Sequence, residues 1–133
     1  LEVSRCVSRI AEISEVRTKL VEQQQQMGKS KAVVMDGRDI GTVVFPNAEI
    51  KLYMKASANT RAQRRFDELV EKGQMVTFEE VLQNVEERDY IDTHREDSPL
   101  VKAADAIEVD NSSMSKIEQF NLVLQLVNDE LNS

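Results

Sequence analysis

The chain has 133 residues, 41% of them apolar and 31% charged, the composition of an ordinary soluble globular protein with one hydrophobic core. Its formal net charge is -7, from 24 acidic and 17 basic residues, which argues against a nucleic-acid backbone or an anionic membrane as a general partner, since both demand a positive field. The single Cys6 excludes an internal disulfide and no apolar run approaches the ~20 residues that cross a bilayer, so a cytoplasmic setting is expected.

The chain opens inside a helical pattern, at Leu1-Glu2-Val3-Ser4, without an initiator methionine, and is expected to be a piece of a larger protein. Val3, Val7, Ile10, Ile13, Val16 and Leu20 recur at three- and four-residue steps and predict one amphipathic helix of roughly 22 to 26 residues, with Gly28 at its end. Cys6 lies on that helix beside apolar neighbours and reads as core. The short apolar runs Ala32 to Met35 and Ile50 to Met54 predict strands. Ala62, Phe66, Leu69 and Val70 keep helical spacing between Ala58 and Lys72, and Gly73 ends the run. Thr77 with Glu80 forms a capping box for a further helix that continues through Arg95 to the stop at Ser98-Pro99. Ala106 to Val109 predicts a third strand, and Ser115 with Glu118 caps a last helix carrying Ile117, Phe120, Val123, Leu124, Val127 and Leu131. Helices alternating with strands predict an α/β fold around a parallel sheet, and about three strands is small for that class.

Although the total charge is negative, six of the nine arginines, Arg38, Arg61, Arg64, Arg65, Arg88 and Arg95, fall in the central half. Arginine is the side chain suited to bidentate phosphate contacts. The run Asp36-Gly37-Arg38-Asp39-Ile40-Gly41-Thr42-Val43-Val44-Phe45-Pro46 places two carboxylates and a guanidinium in a glycine-flanked loop directly after a predicted strand, where open α/β sheets bind ligands. Arg88, Asp92 and Arg95 stand at i, i+4 and i+7, with the acid spaced to hold both guanidiniums; a solvated salt-bridged face has the same spacing. Arg61, Arg64 and Arg65 also share a helix face, with Glu68 the one acid on their stripe, an imbalance that an anion would relieve. Gly28-Lys29-Ser30 matches the end of a phosphate-binding P-loop, but Gln23 stands where the first glycine belongs and the order runs helix to strand, so it reads as a helix stop. His94 is assigned no role, and the spacing of Asp89 and Asp97 is not diagnostic of a metal.

With the Asp36 to Pro46 loop, the Arg61-Ala62-Gln63-Arg64-Arg65 cluster and the run Glu87-Arg88-Asp89-Tyr90-Ile91-Asp92-Thr93-His94-Arg95, continuing through Ser98-Pro99-Leu100, essentially the whole chain resembles the C-terminal portion of bacterial cytidylate kinases. The resemblance implies residues 1–133 as a single portion of a P-loop kinase-like core, a truncated parallel sheet flanked by helices with a lid segment at about residues 74–100. It implies transfer of the γ-phosphoryl of ATP, with Mg²⁺, to CMP or dCMP. Ser8, Arg17 and Asp39 would meet the cytosine, Arg38 the nucleotide phosphate, Arg88 and Asp92 the sugar hydroxyls, and Arg95 the phosphate or base. Arg61, Arg64 and Arg65 would lie on the ATP side, and Arg38, Arg64, Arg65 and Arg95 would stabilise charge on the transferred group.

The family's phosphate-binding loop lies in its first strand–helix unit and has no counterpart in these residues. No cofactor is therefore expected to be tightly bound, this portion alone is expected to be inactive, and exposed surfaces are expected to invite self-association or domain swapping. The alternatives are a non-catalytic nucleotide-binding or oligomerising module, and a kinase that prefers UMP.

Overall fold

The computed structural model describes residues 2–133. Five helices and two strands follow one another as α1 (Glu2–Ile10), α2 (Ser14–Gly28), β1 (Leu52–Lys55), α3 (Ala58–Glu71), α4 (Phe78–His94), β2 (Ile107–Asp110) and α5 (Lys116–Leu131), with a wide π-type turn at Ile40–Val44 between α2 and β1.

The first expected helix is two. Its ladder breaks at residues 11–13, where Glu12 and Ile13 bond only three residues back, to the carbonyls of Arg9 and Ile10. Ser8 and Arg17 lie nine residues apart, which is about two and a half turns of a continuous helix, so an unbroken helix would point them in opposite directions. Breaking the helix lets both be buried. The same arrangement turns Ser8 inward and leaves Val3, Val7 and Ile10 exposed, and Cys6 is exposed as well, contrary to the core position expected of it. Gly28 is the last residue of α2 and Lys29, not Gly28, is its cap; glycine is needed at 28 because a Cβ there would run into the ring of Phe45.

The strand expected at Ala32 to Met35 does not form. Lys31 and Ala32 take left-handed backbone angles (φ 56° and 50°), and Val34 is fully exposed. A β-branched run becomes a strand only when another backbone takes up its hydrogen bonds, and among the described residues the sheet pairs β1 with β2 alone. The α/β class therefore holds with two parallel strands, in the register Leu52 with Ile107 through Lys55 with Asp110.

Between the strands, α3 and α4 form an antiparallel pair, each bounded by local chemistry. Ser57 caps α3 by accepting from the amide of Thr60. Gly73, at φ 73°, closes it: its amide donates to Val70 and that of Gln74 to Leu69, the paired bonds of a Schellman ending. The expected capping boxes are both present, Thr77 with Glu80 starting α4 and Ser115 with Glu118 starting α5. The apolar core sits in this pair, where Ala62, Leu69 and Val81 are buried and Phe66, Val76, Phe78, Leu82 and Val85 pack around them. The rings of Phe66 and Phe78 meet edge to face at 6.2 Å. Among the described residues no helix is long and apolar enough to cross a membrane.

Candidate functional site

Where α1, α2, the loop before the π-type turn and the end of α4 converge, the buried groups are polar. Ser8, Arg17, Asp39, Asp92 and Arg95 are all at least nine-tenths buried, more charge than is found inside ordinary cores. The wide turn holds Asp39 in place: its carbonyl accepts from the amides of Val43 (2.9 Å) and Val44 (3.2 Å), fixing the backbone while the carboxylate faces inward. Arg17 Nη2 donates to Asp39 Oδ2, and Arg38 Nε donates to Asp92 Oδ2 at 2.9 Å. Arg95 Nη1 lies 3.7 Å from Asp92 Oδ1. Arg95 also donates from Nε and Nη2 to the carbonyl of Ser98, at 2.9 and 2.6 Å, and the amide of Leu100 donates to the carbonyl of Asp92 at 2.7 Å. Arg88 Nε reaches Ser8 Oγ at 3.4 Å.

Residues scattered over 88 positions of sequence are thus paired, Arg17 with Asp39, Arg38 and Arg95 with Asp92, and Arg88 with Ser8, and Arg95 also feels the charges of Arg17, Asp39 and Arg38. Asp92 holds Arg38 as well as Arg95, and the Arg38 pairing is one that helix spacing alone does not show. Three guanidiniums, those of Arg17, Arg38 and Arg95, meet the two carboxylates of Asp39 and Asp92. Burial first, and then repulsion from Arg17, push the guanidinium of Arg95 below its ordinary range, with Asp92 and Asp39 opposing. Arg17 Nε is buried with no hydrogen-bond partner among the described residues. A buried concentration of positive charge with a donor to spare is suited to an anion carrying hydrogen-bond acceptors.

Arg61, Arg64 and Arg65 behave differently. The expected imbalance of three guanidiniums against one acid is filled from elsewhere in the fold. Arg61 forks onto Asp89 of α4 at 2.8 and 2.5 Å, and that hydrogen bonding raises its pKa. Arg64 donates to the carbonyl of Asn111 at 2.6 Å and to its side chain at 3.0 Å, and Arg65 pairs with Glu68 at 2.8 Å. The three do not converge.

Two acids outside the expected set find partners here: Asp89 takes Arg61, and Asp97 accepts from Ser14 beside a cavity of about 200 Å³ that Arg17, Thr18 and Val43 also line. Nothing in their spacing marks either one, because both pairings are made across the fold. His94 stacks on Tyr90 at the exposed end of α4. Among the described residues no group of three or more histidine, cysteine, aspartate or glutamate side chains gathers to hold a metal ion.

A sequence model of the family described as "Cytidylate kinase" matches residues 1–129. The protein named "Cytidylate kinase" in Flavobacterium johnsoniae is 73% identical over 129 residues, covering 97% of this chain and 56% of that relative. Those of the same name in Flavobacterium psychrophilum and Parabacteroides distasonis are 67% and 53% identical, covering 97% and 100% of this chain and 57% and 58% of theirs. The chain spans a little over half the length of these relatives.

Proposed function

Because the chain belongs to the cytidylate kinase family, we propose that it carries the acceptor side of an enzyme that transfers the γ-phosphoryl of ATP to CMP or dCMP. The single observation behind this reading is the cluster of three guanidiniums on two buried carboxylates, with Arg17 on Asp39 and both Arg38 and Arg95 on Asp92.

Each group has a part that its chemistry suits. Cytosine presents an exocyclic amine where uracil presents a carbonyl, so the Asp39 carboxylate accepts from one and repels the other, while Arg17 and Ser8 donate to the ring acceptors. Arg38 and Arg95 supply charge for the phosphate, and Arg88 and Asp92 meet the sugar hydroxyls. Because these side chains are already held by one another and by the carbonyl of Ser98, little ordering remains to oppose binding.

On the donor side the residues present do not form a cradle. Arg61, Arg64 and Arg65 are each engaged separately, and no metal-binding group gathers among the described residues. We therefore assign this chain nucleotide binding without turnover by itself, and the phosphoryl transfer to the whole protein. Calorimetric titration of the chain with CMP and UMP tests the assignment. CMP is expected to bind at least about tenfold more tightly, since a buried carboxylate facing a carbonyl is left unpaired. Equal affinities, or no binding of either, would contradict it.

A further inference from the structure

Arg88, Asp92 and Arg95 lie along one stripe of α4 and its C-terminal cap, with Arg88 on Ser8 of α1 and Asp92 on Arg38. Asp89 lies on another. It follows Val85 by four residues and Leu82 by seven, and both of these pack against the apolar core shared with α3. Asp89 is thus the polar continuation of the face by which α4 rests on α3, one residue from Arg88 and three from Asp92.

Its partner is anchored on a third element. Arg61 Nε donates to the carbonyl of Ala56, just beyond the end of β1, at 3.1 Å, while Nη1 and Nη2 donate to the two oxygens of Asp89. A two-bond fork fixes orientation as well as distance, where a single bond would allow swivelling. Both side chains are about 40% exposed, so the pair contributes little to overall stability. Its geometric effect is larger, because it lies past the last apolar contact that α4 makes with the core of the pair.

We propose that Asp89 is a positioning residue: clamped by Arg61 to the end of β1, it sets the rotation of α4 and thereby the aim of Arg88 at Ser8 and of Asp92 at Arg38. The inference rests on the acceptor-site reading for its functional consequence and on the clamp alone for its structural one.

Asp89→Asn in the full chain separates the two. Without ligand, the Nε–H resonance of Arg88 and the amide resonance of Ser8 are expected to move. CMP affinity is expected to fall about tenfold, as displaced binding groups lose their alignment, while the thermal midpoint changes by no more than about 4 °C. The double variant, Arg61→Gln with Asp89→Asn, is expected to bind CMP no more weakly than Asp89→Asn alone, because the two groups act as one clamp, read without ATP so that any donor-side effect of Arg61 stays out of the measurement. Unchanged Arg88 and Ser8 resonances in Asp89→Asn would overturn the proposal, as would losses of affinity that add in the double variant. Should the unmutated chain fail to bind CMP, the acceptor reading falls, and the two resonances still decide the positioning role.

Discussion

Asp39→Ala is expected to lower the unfolding free energy by about 3–5 kcal/mol and to remove any preference for CMP over UMP. Asp39 is 2% exposed and Arg17, its ion-pair partner, 9%. Deleting the carboxylate leaves the guanidinium of Arg17 buried beside Arg95, which already suffers repulsion from it. The cost is that of an uncompensated buried charge rather than of one lost hydrogen bond. Denaturant unfolding of the variant, together with Asp39→Asn, which keeps the shape and removes the charge, measures it. A change below about 1 kcal/mol, the range of an exposed pair, would show that solvent reaches Arg17.

Leu69→Ala has a comparable expected effect from a different source, about 2–5 kcal/mol for the lost transfer free energy and the cavity left behind. Leu69 is 1% exposed and is one of only three buried side chains in the cluster between α3 and α4. A core this small has few neighbours able to collapse into the gap, which favours the upper part of that range. Leu124 on α5 is 45% exposed, and its replacement by alanine is expected to cost well under about 2 kcal/mol. Equal effects at the two positions, measured by denaturant unfolding, would place the stabilising core elsewhere.

Features bounded by local chemistry were legible in the sequence. The Thr77–Glu80 and Ser115–Glu118 boxes and the left-handed Gly73 each depend on residues within a few positions, and all three stand where spacing predicts them. Partners supplied from a distance were not legible. The step from Val7 through Ile10 and Ile13 to Val16 keeps helical periodicity across the break at residues 11–13, so apolar pattern alone carries the helix straight on. Val33 and Val34 have strand composition, yet a strand is a paired object and none of the described residues pairs with them. Likewise the arginine stripe of α3 seemed unbalanced only until Asp89, 28 residues away, supplied its carboxylate. Among the polar residues expected at one site, Arg17 meets Asp39, Arg38 and Arg95 meet Asp92, and Arg88 meets Ser8, and which acid holds which guanidinium is set by packing, as the Arg38–Asp92 pair shows.

Amide chemical-shift mapping of the chain with CMP asks most directly whether a pyrimidine nucleotide is read by the cluster joining α1, α2 and α4. Saturable perturbations centred on Ser8, Arg17, Arg38, Asp39, Asp92 and Arg95 are the expected result. Saturable perturbations confined to other surfaces, with these six positions silent, would contradict it.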